Sequence, residues 1–493
     1  MLEYLKQEAN RTYTENGALT HATTGSYCLD LFATIGALRS SEEEEILKRF
    51  LWAYTENPDL AMKTLFFARD VRGGLGERSV FRIILRYLAK NKAESVKKNL
   101  PHIAEYGRWD DLLCLLDTPC EKAALQLIQT QLEEDLSALD MGDEVSLLAK
   151  WLPSVNASNG KAVRQAKRIA RFLQMDDATY RKTLVKLRSR IRILENHLRE
   201  KDYTFDYEKQ PSRAMLKYRK AFQRNDGERY SEFLDRVIKG EAKLHAETLQ
   251  PYELVESFLS GWSGCSFLRR LSAQEQQSLN AAWASLPSFE NGENALAVID
   301  TSGSMYYSGK PLPGAVALSL GLYFAEHNTG AFRNHVMEFS SKPQLIELRG
   351  ETFADRLRYL ASFNTIADTN LEAVFDLILK AAVRNNVPQE KLPSTLYLIS
   401  DMEFNRCVHR ADTTNFENAK AKFAAAGYRL PRVVFWNVQS RNTQQPVTIN
   451  EQGVALVSGC SPRIFSMVQR GDLSPMTFML QILNSERYSR IAA

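Results

Sequence analysis

The sequence predicts a multidomain protein: an all-α, HEAT-like helical-repeat ring or solenoid, followed by an α/β domain with a doubly wound sheet. Apolar residues recur every three to four positions almost throughout from Ser40 to about Leu279, which is typical of amphipathic helices. Strand and helix patterns alternate after about Glu290, which favours a mostly parallel sheet. At 493 residues the chain is also too long for one ordinary core. We therefore predict a helical domain over 1–285 and an α/β domain over 286–493.

Short turns divide the helical half into segments that suit antiparallel pairs. They occur at Asn57-Pro58, in the glycine cluster from Gly73 to Arg78, at Gly107-Arg108 and at Asn159-Gly160. The glycine cluster lacks the Lys-Ser/Thr of a phosphate-binding loop and follows no strand, so we predict a simple turn there. The sequence has no strict period, and the array is inferred from the order of the elements.

The α/β half contains strand and helix patterns in regular alternation. The predicted elements are strand 295–299, helix 311–328, strand 335–348, helix 371–384, strand 394–400, helix 417–426 and strand 432–438. In open parallel sheets, ligands bind in the crevice at the carboxyl ends of the strands. The residues that directly follow the first and third of these strands are therefore candidates for a binding site.

Side chains with oxygen atoms are found at those positions, and a further one, Thr369, lies in the loop just before the helix 371–384. The candidate metal ligands are Asp300, Ser302, Ser304, Thr369 and Asp401, of which the first three form a D-x-S-x-S pattern. Carboxylate and hydroxyl oxygens suit Mg²⁺, or another divalent cation such as Mn²⁺ or Ca²⁺, better than Zn²⁺. Taken alone, D-x-S-x-S also fits a polar turn that binds no metal.

This set of residues resembles the metal-ion-dependent adhesion site of von Willebrand factor A domains in order and approximate spacing. The resemblance covers roughly Glu290 to the C-terminus. It implies that the two serines and Thr369 ligate the cation directly or nearly so, while the two aspartates act mainly through waters and hydrogen bonds. It also implies a coordination position open to an acidic group of a protein partner. The alternative is an A-type fold with a vestigial site.

Positive charge is concentrated in one part of the helical half. The whole chain has a net charge of +4, but the segment from Lys161 to Arg224 has 19 Lys and Arg against 7 Asp and Glu. A concentrated cationic surface favours nucleic acid because binding releases counterions from the phosphates. The alternatives are solvated helix faces, or pairing with the acidic remainder of the protein.

The spacing of these charges predicts basic helix faces. Four cations lie at i, i+3, i+4 and i+7 from Arg164, and a following helix pattern places Arg181, Arg188, Arg192 and Arg199 on one face. Further along, a tyrosine lies among cations, where it could stack on an unpaired base. The predicted RNA-binding residues are Lys150, Arg164, Lys167, Arg168, Arg171, Arg188, Arg192, Lys217, Tyr218 and Arg219.

The combination of a basic helical half with an A-type domain resembles the Ro autoantigen family, whose helical module is the TROVE domain. The motifs Gly17 to Thr20, Arg72 to Glu77, Gly107 to Leu112 and Lys150 to Ser154 look most like a divergent, poorly characterised relative found in bacteria, viruses and plants. The resemblance implies a monomeric ring that is closed by the A domain. It also implies binding of small structured noncoding RNA on the outer surface and of single-stranded ends of misfolded RNA in the central hole, without catalysis.

Composition, targeting patterns and cysteine content limit the possible functions. A hydrophobic content of 44% and a charged content of 25% exclude general disorder, and the sequence contains neither a signal-peptide pattern nor a membrane-length apolar run. Six cysteines without paired spacing fit reduced thiols, so we predict a cytoplasmic protein that has no membrane partner. A metal-dependent protein-protein interaction scaffold without RNA is the alternative function. An enzyme that uses the metal to activate water is least favoured, because no general base adjoins the site.

Overall fold

The computed structural model describes residues 1–191, 193–259, 268–289, 292–307, 309–340, 342–363, 369–406, 413–468 and 473–493. Up to residue 289 the described chain is helical apart from a short hairpin of β1 (Arg11–Tyr13) and β2 (Leu19–His21). The helices are α1 (Leu2–Ala9), α2 (Tyr27–Thr34), α3 (Glu43–Glu56), α4 (Pro58–Arg69), α5 (Ser79–Asn91), α6 (Ala93–Asn99), α7 (His102–Tyr106), α8 (Glu121–Met141), α9 (Leu148–Trp151), α10 (Gly160–Phe172), α11 (Asp177–Ile191), α12 (Leu194–Glu200), α13 (Ser212–Asn225), α14 (Gly227–Ile238), α15 (Pro251–Val255) and α16 (Ala273–Ala284). The predicted helical region is thus confirmed, whereas the hairpin was not predicted.

The helices form where the apolar residues recur on one face. In α5, Val80, Phe81, Ile84 and Leu88 are all buried, while the opposite face is open to solvent. The glycine cluster between α4 and α5 is the predicted turn. At Gly74 a Cβ atom would lie 2.1 Å from the carbonyl oxygen of Phe67, so only glycine fits there.

The second basic helix is divided, contrary to the prediction of one continuous face. Helix α11 ends at Ile191 and α12 begins at Leu194, because Ile193 has an extended backbone with φ −64° and ψ 139°. Arg181 and Arg199 therefore lie on different helices. The predicted contact residue Arg192 lies outside the described residues.

The α/β unit contains a six-stranded sheet within the described residues. Its strands are β3 (Ala295–Asp300), β4 (His335–Phe339), β5 (Gln344–Glu347), β6 (Thr395–Ser400), β7 (Arg432–Asn437) and β8 (Val454–Ser458). Its helices are α17 (Ser304–Tyr307), α18 (Pro313–His327), α19 (Phe353–Ala361), α20 (Leu371–Arg384), α21 (Asn415–Ala425), α22 (Arg463–Val468) and α23 (Pro475–Leu483). The alternation follows the predicted order closely.

The strand order is β5-β4-β3-β6-β7-β8, and every pair is parallel except β4 with β5. This is the doubly wound order 3-2-1-4-5-6 with an antiparallel edge strand, which confirms the predicted fold class. The order reverses between β3 and β6, whose carboxyl ends lie side by side. A crevice at this point is the usual place for a ligand.

Two edges of the sheet differ from the prediction. The segment predicted as one strand over 335–348 is a hairpin, because β4 and β5 run antiparallel on either side of a turn that contains Pro343. The outer strand β8 was not predicted, although it is fully buried. It pairs with β7, and α2 from the N-terminal half packs against it.

Helices from both ends of the helical half contact the α/β unit. Near the start of the helical half α2 packs against β8 and α23, and near its end α15 packs against α18 and α16 against α19. The C-terminal tail returns to the helical half, where Arg487 pairs with Asp70 and Tyr488 is buried. Within the described residues, no helix is both long and apolar enough to span a membrane.

Candidate metal centre and nucleic-acid interface

The sheet brings the two predicted carboxylates to one edge. Because Ile299 pairs in register with Ile399, Asp300 and Asp401 leave neighbouring strands together. Asp300 is fully buried, and its two carboxylate oxygens accept bonds from the Ser302 amide at 2.9 Å and from the Ser400 hydroxyl at 2.6 Å. Ser400, which was not predicted as a site residue, thus fixes Asp300 across the strand pair.

The three predicted hydroxyl residues lie in loops at the same edge. The hydroxyl oxygens of Ser302 and Ser304 are 3.1 Å apart. Thr369 is buried, and its carbonyl oxygen accepts a bond of 2.9 Å from the amide of Asn405, four residues after Asp401. The hydroxyl groups and the carboxylates therefore come from three loops that are tied together by backbone and side-chain bonds.

The chemistry of this set fits a divalent cation. Burial raises the pKa of Asp300 to about 7, and the charge of Asp401 adds to the rise. A bound cation would offset the repulsion between the two carboxylates and would stabilise the buried negative charge of Asp300. Within the described chain, no three His, Cys, Asp or Glu side chains converge as a metal site, so this candidate depends on its hydroxyl groups.

Arg441 is an unpredicted neighbour of the candidate metal centre. Its guanidinium donates a bond of 2.9 Å to a carboxylate oxygen of Asp401, and it forms an ion pair of 3.0 Å with Glu15. Arg441 follows β7 and Glu15 lies in the N-terminal hairpin, far apart in the chain. Their positions in the sequence therefore did not predict that either residue lies near the candidate metal centre. The hairpin brings a charge from the start of the chain to the edge of the sheet.

The predicted basic face of α10 is formed, but half of its charge is paired. Lys167 forms an ion pair of 3.1 Å with Asp177, and Arg168 donates to Glu121 at 2.6 Å and also pairs with Asp117. Arg164 and Arg171 are exposed, and neither has a side-chain partner among the described residues. We call Arg164, Lys167, Arg168 and Arg171 the α10 basic face.

Arg188 is directed at its own domain. Its guanidinium donates bonds of 2.8 Å to the carbonyl oxygens of Ala149 and Leu152 and to the hydroxyl of Ser154. Burial lowers the pKa of Arg188. These bonds hold the loop that follows α9, and they leave little of the guanidinium for a ligand.

Helix α13 lines an open cavity of about 370 Å³. Arg213, Lys217 and Arg219 face this cavity together with Glu253 and Glu256 of the neighbouring segment. Burial raises the pKa of Glu256 and lowers the pKa of Arg219, whose Nε is buried without a hydrogen-bond partner. Lys217 lies over the ring of Tyr218, with its Nζ 4.6 Å from the ring centroid.

A second group of cations comes from the turn after α7 and from α9. The Arg108 guanidinium stacks on Trp151 at 4.5 Å from the ring centroid, and the Nζ of Lys150 lies 5.7 Å from the same ring. Burial lowers the pKa of Arg108, and the neighbouring guanidiniums of Arg213 and Arg69 lower it further. We define the convergent cluster as Arg78, Arg108, Lys150, Trp151, Arg213, Lys217, Tyr218 and Arg219.

The convergent cluster rests on a buried ion network. Asp111, which is fully buried, pairs with Arg69 at 2.7 Å and with Arg82 at 2.5 Å, and it also accepts a bond from the Arg108 amide at 3.0 Å. Asp110 pairs with Arg78 and Arg82. Asp111 therefore caps the turn, and the two aspartates together pair with Arg69, Arg78 and Arg82. Arg78 and Arg108 were missed as site residues because they lie outside the basic segment 161–224. Arg213 lies within that segment but was not among the predicted contact residues.

Comparisons with known proteins give the following relatives. The family model described as "Domain of unknown function (DUF2828)" matches residues 14–126 and 122–288, and a second, "Domain of unknown function (DUF7788)", matches residues 294–474. An uncharacterized protein of Acanthamoeba polyphaga mimivirus is 30% identical, with 96% of this chain and 87% of that protein covered. The crystal structure of the RO (RSR) protein of Deinococcus radiodurans is similar over 96% of each chain, with 14% identity and a TM-score of 0.41.

Proposed function

The chain belongs to the family described as a domain of unknown function, DUF2828, and we propose that its role is RNA binding through the helical half. The observation that carries this proposal is the convergent cluster. Arg213, Lys217 and Arg219 line an open cavity of about 370 Å³, beside the ring of Tyr218. The charge of Arg213 also acts on Arg108, which lies with Lys150 over the ring of Trp151. Such an arrangement offers a path for phosphates and a platform for bases.

The convergent cluster suits a single strand. Base stacking on aromatic rings tolerates every sequence, and arginines add cation–π contacts and phosphate contacts. Arg108 and Arg219 have lowered pKa values, which indicates cations held by burial and by like charges without full compensation by carboxylates. An anionic ligand would supply that compensation. We therefore assign single-stranded ends of RNA, as in misfolded transcripts, to this cluster.

The α10 basic face suits a different ligand. Arg164 and Arg171 are exposed on α10, and among the described residues neither guanidinium lies over an aromatic ring. Phosphates of a folded, structured noncoding RNA could be contacted there through charge alone. The function is then that of a Ro-type RNA-binding protein that acts by binding and without catalysis.

The candidate metal centre supplies a second activity, docking of a protein partner. Asp300, Ser302, Ser304, Thr369 and Asp401 would hold Mg²⁺ or another divalent cation, and the cation would accept an acidic group of the partner. Two observations favour this activity: Asp300 lies beside Ser302 and Asp401 at the sheet reversal, and the loop of Thr369 is bonded to the loop that follows Asp401. The four described cysteines are buried free thiols, which fits a reducing compartment, and we propose the cytoplasm.

The test begins with the purified full chain. We expect co-purifying RNA and binding of a fluorescent 15-nucleotide oligouridine whose affinity falls steeply with salt, with a log–log slope that counts the phosphate contacts. A DNA oligonucleotide of equal length is the matched control for the sugar. Crosslinking the protein to cellular RNA and sequencing the fragments then identifies the ligand. Absence of both co-purifying RNA and salt-sensitive binding would refute the proposal.

Docking is tested separately. A Ser302→Ala/Ser304→Ala variant removes two hydroxyl ligands while it retains the buried carboxylates. Partners captured by the wild-type chain in Mg²⁺ and lost from the variant would support metal-dependent docking. If the variant retains every partner, the scaffold activity is wrong and the RNA-binding proposal is unaffected.

A further inference from the structure

One loop connects the candidate metal centre to the N-terminal half. The residues after β7, from Gln439 to Gln445, touch both regions. Arg441 donates to Asp401, whereas Asn442 donates to Glu15 at 3.0 Å and to Glu403 at 2.9 Å. From the helical half, Arg49 donates to the Ser440 hydroxyl at 2.7 Å and to the Asn442 carbonyl oxygen at 3.0 Å.

The N-terminal hairpin, residues 11–21, is held at the metal edge by polar bonds. The Thr14 hydroxyl donates to the Phe404 carbonyl oxygen at 2.6 Å, and the Glu15 amide donates to the carboxylate of Glu403 at 2.7 Å. Glu403 is buried two residues after Asp401. The anchors of the hairpin and the candidate ligand therefore belong to the same short loop.

Arg441 is the only described cation that pairs with Asp401. Its guanidinium spans the two carboxylates of Asp401 and Glu15, at 2.9 Å and 3.0 Å. A divalent cation at the Asp300 and Asp401 site would draw on the same carboxylate group and would repel the guanidinium. The two cations therefore compete for Asp401.

The geometry points to Arg441 as an internal counter-ion that a bound divalent cation displaces, so that cation binding loosens the N-terminal hairpin. This inference rests on the proposed metal site and adds its regulation. Once Asp401 is lost as an anchor, Glu15 is the one remaining carboxylate partner of Arg441 among the described residues, and the Glu15 side chain is 45% exposed. By thermodynamic reciprocity, any change that frees Arg441 from Asp401 strengthens cation binding.

The first test is an Arg441→Gln variant of the full chain, titrated with MnCl₂ and followed by electron paramagnetic resonance of free Mn²⁺. Removal of the competing charge should tighten Mn²⁺ binding about tenfold. Arg429→Gln is the control, because Arg429 is an exposed cation that precedes β7 at the opposite end of the sheet. It should alter the affinity less than about twofold. Equal or weaker binding by Arg441→Gln would overturn the inference.

The second test needs no Arg441 variant. Hydrogen exchange of the Glu15 and Gly17 amides in the wild-type chain should accelerate several-fold at saturating Mn²⁺, because their bonds belong to the hairpin and its anchor. Ser302→Ala/Ser304→Ala should abolish that response. Unchanged exchange with bound Mn²⁺ overturns the inference but leaves the metal site standing. Absence of Mn²⁺ binding by both the wild type and Arg441→Gln overturns the metal site and the inference together.

Discussion

The α10 basic face and the convergent cluster are both cationic, yet they are built in opposite ways. The face on α10 is one helix whose charges are exposed, and two of its four cations pair with acids of neighbouring helices. The convergent cluster contains residues from distant segments, and two of its arginines are tied to a buried network: Arg78 pairs with Asp110, and the Arg108 amide donates to Asp111. A local charge excess in the sequence therefore identifies a basic surface, but the contacts around each cation decide whether that cation is available to a ligand.

The largest expected effect concerns the network beneath the convergent cluster. Asp111→Asn removes a buried carboxylate that pairs with Arg69 and Arg82. Arg82 keeps its ion pair with Asp110, whereas the buried Arg69 loses its carboxylate partner. We expect a loss of about 3–5 kcal/mol in the free energy of unfolding. Urea unfolding measures it. Asp117→Asn, which breaks an exposed pair on the α10 basic face, should cost less than about 1 kcal/mol. Equal costs would contradict the distinction between the two regions.

The next effect is on single-stranded RNA. Arg108→Gln/Arg213→Gln should weaken binding of 15-nucleotide oligouridine about 10- to 100-fold and lower the salt slope by about 1.4, since each phosphate contact contributes about 0.7. Fluorescence anisotropy over a salt series measures both quantities. Arg384→Gln/Arg429→Gln removes the same charge from the α/β half and controls for net charge. If both double variants lose affinity equally, the convergent cluster has no special role.

A smaller effect is expected from the α10 basic face. Arg164→Gln/Arg171→Gln should weaken binding of a structured stem-loop RNA about three- to tenfold, and binding of oligouridine less than about twofold. Competition between the two RNAs on the wild type and the variant measures the difference. A variant that loses oligouridine and keeps the stem-loop would reverse the assignment of the two surfaces.

The smallest effect is expected when the metal centre is altered and RNA binding by the basic regions is measured. Ser302→Ala/Ser304→Ala should change oligouridine affinity less than about twofold at constant Mg²⁺, because the hydroxyls lie at the sheet edge and not in the convergent cluster. The same anisotropy assay measures the change in affinity. The variant is preferable to a chelator, because a chelator would also remove Mg²⁺ from the RNA. A loss of tenfold or more would show coupling between the metal centre and RNA binding.

Much of the fold was predictable because local patterns decide it. The period of Val80, Phe81, Ile84 and Leu88 predicts α5, and the apolar run before Asp300 predicts β3, since burial of one face depends on spacing alone. The break at Ile193 and the edge strand β8 were missed. A backbone torsion and the pairing partner of a short strand depend on packing against other segments.

The candidate sites divide in the same way. The positions of the five oxygen-bearing side chains and of the α10 cations could be predicted from the sequence, because strand ends and helix faces follow from period and spacing. Three contacts are visible only in the folded chain: Arg188 bonds to its own loop, the charge of Arg213 acts on Arg108, and Arg441 reaches Asp401. The physical reason is that Coulomb and hydrogen-bond energies depend on distance in space, which separation along the chain does not reveal.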